Sequence, residues 1–288
     1  MNKPVFSIVT PCLNALPYLR LCCASVADQK GVDVEHIVVD GGSTDGTVEW
    51  LQAQSRSGLH WISEKDSGMY AAINKGFKIA QGELIAHLNS DEQYLPGALE
   101  LVAKRFSDNS FEILLGDTIV IDTDGSYLCS RQVIKPMYYH TLVCHLSTFT
   151  AATFFRKSAL ERYSAYFDEK WKCSGDLIWM LNILNNKAKI EIIRHYTSAF
   201  MDRGKENLAL SNTAFEERKK RLSGAPTWAK YLRHFWSMHH RMRRFFYGLY
   251  RLTAFSYSLY TPDSPECRIE FHVTRPTFLW KSRLSRKR

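Results

Sequence analysis

The chain has 288 residues, is 45% apolar, which is enough for a sizeable core, and carries a formal net charge of +9. No apolar run approaches a bilayer span, and the start enters a strand directly, so neither a membrane-spanning nor a secreted protein is expected. Seven cysteines without a C-x-x-C pair exclude a disulfide framework or a zinc ribbon and fit reduced cytosolic core residues. The charge is uneven: residues 203–288 hold 19 basic and 6 acidic side chains, leaving 19 and 23 for residues 1–202. A near-neutral unit over 1–202 and a basic extension over 203–288 are expected, the extension facing an anionic surface.

Val5 to Thr10 reads as a β-branched strand closed by Pro11, with Asn14 in the loop that follows. Leu16, Leu19, Cys23 and Val26 recur at helical spacing. His36 to Val39 is a second buried strand, ended by Asp40-Gly-Gly-Ser-Thr-Asp-Gly46, and a short helix is expected over Thr47 to Gln54. Leu59 to Ser63 is a third strand, and Met69, Ile73, Phe77 and Ala80 form the apolar side of a helix closing at Gly82. Leu84 to Asn89 is a fourth strand, and its tip, Asn89-Ser90-Asp91-Glu92, leads to a helix from about Gly97 to Phe106.

Beyond it, Ile113 to Leu115 and Thr118 to Ile121 read as separate strands, with a hairpin turn at Asp122-Thr-Asp-Gly125 leading into Tyr127 to Arg131. Thr148 to Phe155 is strand-like, and Lys157 to Tyr163 and Asp176 to Leu184 are helical. This order predicts an α/β protein with a mainly parallel sheet flanked by helices, and an antiparallel portion after the acidic tip.

In such sheets ligands bind beyond the carboxyl ends of the strands, where the acidic tip falls. Adjacent carboxylates repel each other. Asp91 and Glu92 therefore read either as ligands of a hard cation such as Mg²⁺ or Mn²⁺, or as acids favoured by a helix N-terminus. Asp40 precedes three loop glycines that let backbone approach a ligand, and its carboxylate can accept from a base N–H or a ribose hydroxyl. Asp66 and Asn74 flank the Met69 helix, where they read equally as helix-end or surface groups. Asp176 opens an apolar helix beside Trp179 and is a candidate general base or an N-cap. His145 reads as a core histidine.

Taken together, Ser7-Ile-Val-Thr-Pro-Cys-Leu-Asn14, Ile37-Val-Val-Asp-Gly-Gly-Ser-Thr-Asp-Gly-Thr47, Glu64-Lys-Asp-Ser-Gly-Met-Tyr-Ala-Ala-Ile-Asn-Lys-Gly76 and Leu88-Asn-Ser-Asp-Glu92 resemble, in order, the family 2 glycosyltransferases. Phe154-Phe-Arg-Lys-Ser158 and Ser174-Gly-Asp176 continue the pattern, which is nearest to the enzymes that build bacterial exopolysaccharides of the colanic-acid type. The resemblance covers roughly residues 4–200.

It implies a GT-A type fold that binds a nucleotide-diphosphate sugar, most often a UDP-sugar, and an inverting transfer to a glycan or lipid-linked acceptor. Thr10, Pro11 and Asn14 would line the nucleotide pocket. Asp40 would hold the base, with Asp66 and Asn74 near base and ribose and Asn89 and Ser90 beside the donor. Asp91, with Glu92 as a second candidate, would hold Mg²⁺ or Mn²⁺, Asp176 would be the catalytic base, and His145 would stand beside acceptor or diphosphate. Asn89 and Glu92 depart from the acids usual at those places, as do Ser67 from arginine and Leu146 from glutamine.

From Trp228 to Tyr260 there is no acidic residue, and aromatic residues at helical spacing alternate with Lys230, Arg233, Arg241, Arg243, Arg244 and Arg251. A mainly helical extension is expected over this stretch, ended by Pro262. It would lie on an anionic membrane at the cytoplasmic inner face or pack on the front unit. The other function classes are a nucleotidyltransferase, which lacks its phosphate loop here, and a nucleic-acid binder, which would leave the ordered motifs without a purpose. A catalytically silent relative is the third.

Overall fold

In a computed structural model of the protein, residues 4–54, 56–108, 110–204 and 211–280 are described. The first half alternates strand and helix: β1 (Phe6–Cys12), α1 (Leu16–Ala27), β2 (Val34–Asp40), α2 (Thr47–Gln52), β3 (Leu59–Ser63), α3 (Met69–Ile79) and β4 (Leu84–His87). These strands pair in parallel in the order β3-β2-β1-β4. After β5 (Gln93–Tyr94) and α4 (Ala98–Phe106) come β6 (Ile113–Ile121), β7 (Tyr127–Arg131), α5 (Tyr138–Val143), β8 (Thr153–Arg156) and α6 (Lys157–Arg162). α7 (Gly175–Asn185) and β9 (Ile190–Met201) complete this part. β8 joins β4 antiparallel, and β6, β9 and β5 extend the sheet to nine strands with β7 beside β6. The expected parallel half with a later antiparallel portion is present.

Alternation along the strands divides the core. Phe6, Ile8, Leu84 and Ala86 face α1 and α4, packing with Cys22, Val26, Leu99 and Val102. Val9 and Ile85 face the other way, onto Ile73 and Phe77 of α3 and Trp179 and Ile183 of α7. Burial on both faces suits the near-continuous apolar strands. Gly82 is fixed by close approach, since a Cβ there would stand 2.5 Å from the backbone nitrogen of Ser7.

Pro11 lies inside β1 rather than after it. Val9 accepts from Leu88 N on the β4 side, so Pro11, two residues on, turns its missing donor the same way. β4 pairs with β1 only as far as Val9, so no ladder bond is lost. Two strands expected at Ile113 and Thr118 are one, with register shifts at Gly116 to Thr118 taking up the irregularity. Thr150 to Ala152 forms a 3-10 turn, so the strand expected from Thr148 begins only at Thr153.

The basic stretch contains α8 (Asn212–Ser223), α9 (Thr227–Tyr231) and α10 (Arg233–Phe246). The helix then stops, and β10 (Phe255–Thr261) and β11 (Ser264–Val273) form an antiparallel hairpin, which corrects the expectation of a helix reaching Tyr260. Tyr257, Leu259 and Val273 pack with Ile119, Ile121, Ala199 and Met201, so the hairpin shares the core of the sheet. Arg268 on β11 bonds both carboxylate oxygens of Asp28 and the carbonyl of Tyr94.

Candidate active site

The carboxyl ends of β1, β2, β3 and β4 lie side by side, with Cys12 opposite Asp40 and Asp40 opposite Ser63. Asn14, in a left-handed conformation at φ 48°, stitches the first two loops together. Its backbone N–H donates to Ser43 Oγ at 2.7 Å, and its Oδ1 accepts from Thr44 N at 2.8 Å.

Asp40 is fully buried and accepts from Gly42 N at 3.1 Å, Ser43 N at 3.0 Å, Ser63 Oγ at 2.6 Å and Ser43 Oγ. Four donors from its own surroundings occupy this carboxylate, which makes it the organiser of the glycine loop. Asp66 accepts from Gly68 N at 2.8 Å, and a Cβ on Gly41 would lie 3.1 Å from its Oδ2. The second and third loops thus meet at Gly41 and Asp66.

Two residues expected around the nucleotide use their side chains elsewhere. Thr10 is fully buried, with Oγ1 2.8 Å from His36 Nε2, leaving only its backbone near the loop. Asn74 clamps α3 to a later loop: Nδ2 donates to the Phe167 carbonyl at 2.9 Å and to Glu169 at 3.0 Å, and Oδ1 accepts from Phe167 N at 2.9 Å. Both of its N–H donors are taken, which leaves only the second lone pair of Oδ1 for another partner.

The acidic tip follows β4. Glu92 is 1% exposed and accepts from Asn89 N at 2.8 Å. Burial first, then the neighbouring Asp91, pushes its carboxyl up to about 8. Asp91 is raised by burial and pulled back by Arg203, whose Nη1 lies 3.7 Å from Asp91 Oδ2. Asn89 Oδ1 is buried with no hydrogen-bond partner. An orphaned amide oxygen beside two carboxylates that repel each other is an all-oxygen donor set suited to a hard divalent cation. Asn89, Asp91 and Glu92 fit such an ion.

Asp176 sits in the first turn of α7, where its Oδ1 accepts from Leu177 N at 2.7 Å. Burial, with a smaller contribution from Glu217, raises it to about 6. Its charge adds the smallest of the contributions that raise Glu92. Tyr70 of α3 receives a hydrogen bond from Asp176 N at 3.3 Å and packs on Gly175, where a Cβ would clash at 2.5 Å. A cleft of about 300 Å³ opens beside it, lined by Gly68, Met69, Tyr70, Trp171, Lys172 and Cys173 among others.

Two residues here were not anticipated. Glu217 on α8 accepts from the backbone N–H of Lys172, of Cys173 at 3.1 Å and of Ser174 at 2.8 Å, which holds the approach to α7. Arg203 pairs with Asp91 and lies over the Tyr18 ring at 4.9 Å. Both fall in the basic stretch, whose composition gives no sign of such contacts. Ser90 is half-buried on the tip, and His145 stands elsewhere, in a group with His140 and His240.

The nine-stranded sheet, with its loops converging at the carboxyl ends of the parallel strands, has the architecture of the GT-A glycosyltransferases. Residues 7–165 match the model for glycosyl transferase family 2, and the chain belongs to that family. A PGL/p-HBAD biosynthesis glycosyltransferase of Mycobacterium bovis is 28% identical over 226 residues, 75% of this chain and 83% of that protein. The putative teichuronic acid biosynthesis glycosyltransferase TuaG of Bacillus subtilis is 35% identical over 130 residues, 42% of this chain and 52% of TuaG.

Among solved structures, S. aureus TarS 1–349 in complex with UDP-GlcNAc aligns at TM-score 0.59 and 20% identity, covering 75% of this chain and 64% of that one. The longer TarS structure is covered over only 43% of its length. The mannosyltransferase PcManGT of Pyrobaculum calidifontis, in complex with GDP-Man and Mn²⁺, aligns at TM-score 0.54 and 17% identity over 76% of this chain and 61% of its own.

Proposed function

We propose that this enzyme is an inverting glycosyltransferase that moves a sugar from a nucleotide-diphosphate donor, a UDP-sugar in the first instance, to a hydroxyl of a glycan or lipid-linked acceptor in cell-surface polysaccharide synthesis. The observation that carries the reading is the acidic tip beyond the end of β4, where the unpartnered Asn89 Oδ1 is followed by Asp91 and the buried Glu92. Relatives named for teichuronic acid and PGL/p-HBAD biosynthesis support the substrate class. A solved neighbour holding UDP-GlcNAc supports the donor.

In this mechanism the loops around Asn14, Gly41 and Asp66 receive the nucleotide, with Asp40 holding their shape. The Asp176 carboxylate takes the proton of the acceptor hydroxyl as that oxygen attacks the anomeric carbon. The bond from the anomeric carbon to the diphosphate oxygen breaks, its electron pair leaves with the nucleoside diphosphate, and the configuration inverts. Asn89, Asp91 and Glu92 would hold Mg²⁺ or Mn²⁺, which supplies positive charge for the departing diphosphate.

The extension supports attachment to an anionic membrane surface, which this reading takes to be the inner face. Among the described residues no helix is long and apolar enough to cross a bilayer. α10 and its flanks instead expose Tyr231, Phe235, Met238, Met242, Phe245 and Phe246 among arginines. Such a surface suits shallow burial at an anionic leaflet, with each basic group contributing about 1 kcal/mol.

The test is thermal unfolding with UDP, GDP and dTDP, each with and without Mn²⁺. A bound nucleotide at a hundred times its Kd stabilises by about 2.7 kcal/mol. One nucleotide should raise Tm with Mn²⁺ present and lose that effect in Asp91→Ala. A flat response to all three would sink the donor site.

A further inference from the structure

Among the described residues, His140, His145 and His240 bring their imidazole nitrogens within 4.8 Å of one another. His140 lies on α5, His145 two residues beyond it, and His240 on α10. The His140 and His240 rings stack at 4.2 Å and 7°, and His145 stands nearly perpendicular to both, at 4.7 and 5.6 Å.

His140 is 2% exposed, yet neither of its ring nitrogens has a hydrogen-bond partner. Burying both polar atoms of an imidazole without a partner is unfavourable, and such an orphan asks for an ion or water that satisfies it. His145 is exposed, so one side of the group stays open to solvent.

We propose that His140, His145 and His240 form a second metal site, for a borderline divalent ion of the zinc class, distinct from the acidic tip. Three imidazoles with an open fourth position are a donor set that zinc takes, whereas Mg²⁺ and Mn²⁺ prefer oxygen. At zinc–nitrogen distances of about 2.1 Å the three nitrogens would stand roughly 3.4 Å apart, so the rings draw in by about an ångström and the stacked His140 and His240 rings tilt until their in-plane lone pairs converge on the ion. The surrounding arginines bear on this. Arg243 and Arg244 donate to the carbonyls of Lys135 and Gln132, and Arg221 to that of Thr141. Their charge weakens the site for a dication. A metal here would pin α10 to α5, joining the exposed aromatic face to the catalytic body. It would also give His145 a ligand's role instead of contact with the acceptor.

The experiment uses untagged full-length protein stripped with chelator, saturated with Mg²⁺ to fill the acidic site, and titrated with Co²⁺ followed by Zn²⁺. One equivalent of Co²⁺ should give the visible bands of a tetrahedral nitrogen site, and Zn²⁺ should bleach them. Asp91→Ala should keep the bands, and His145→Ala and His240→Ala should lose them while melting normally without metal. Should His240→Ala fail to fold, His145→Cys decides, because a retained ligand must then add a sulfur-to-cobalt charge-transfer band. Absence of tetrahedral bands in the wild type, or their persistence in the foldable histidine variants, overturns the site.

Discussion

The carboxylate of Asp176 binds its proton more tightly folded than unfolded, its pKa being raised from 3.8 to about 6. Two consequences with opposite faces follow. In its proposed role as base it works only when ionised, so kcat/KM should fall about tenfold per pH unit below about 6. For stability, ionisation in the fold is unfavourable, so the fold loses stability as pH rises from about 4 to 6, and the loss stays constant above that. Asp176→Asn should therefore abolish transfer at pH 7.5 while Tm holds or rises by a few degrees, about 2–4 °C per kcal/mol. Near-normal transfer in that variant would remove Asp176 from the mechanism. Glu217 acts one step back, by holding three backbone donors of the loop before α7. Glu217→Ala leaves those donors without their acceptor and should cost about 1–3 kcal/mol, with kcat reduced more than donor KM. An unchanged Tm in a urea or thermal melt would show the contact to be dispensable.

At the scale of elements, the hairpin and α10 separate stability from localisation. Leu259 of β10 is fully buried against the sheet, so Leu259→Ala should destabilise by about 2–5 kcal/mol although it lies far along the chain from the motifs. Phe245 and Phe246 on α10 are 69% and 77% exposed, so replacing both with serine should leave Tm within about 1 °C. The same double variant should lose binding to anionic vesicles, measured by flotation at low and at high salt. Vesicle binding equal to wild type would show that this face does not meet lipid. α10 packs one face on α5 and leaves another exposed. Trp236 and His240 pack on Tyr139 and His140 of α5, and the phenylalanines and methionines turn outward.

For the whole molecule, the parallel half was legible because its signals are local. β-branched runs, glycine-rich ends and helical spacing of Leu19, Val26, Ile73 and Phe77 each act within a dozen residues, and the order of motifs named the family that the match over residues 7–165 bears out. The later strands were harder. β9 mixes Arg194 and His195 into its run because part of it is exposed, and β5 is two residues long, so neither carries a readable period. The sequence by itself determined which carboxylates stand at strand ends, since strand length and loop chemistry decide that. Only the tertiary structure decided what each one does. Asp40 is consumed by its own loop, and Asn74 is claimed by Phe167 and Glu169 nearly a hundred residues on. His140 of α5, His145 just beyond it and His240 of α10 meet. Hydrogen bonding and Coulomb interaction act over a few ångströms of space, and separation along the chain carries no record of which distant groups will fill it.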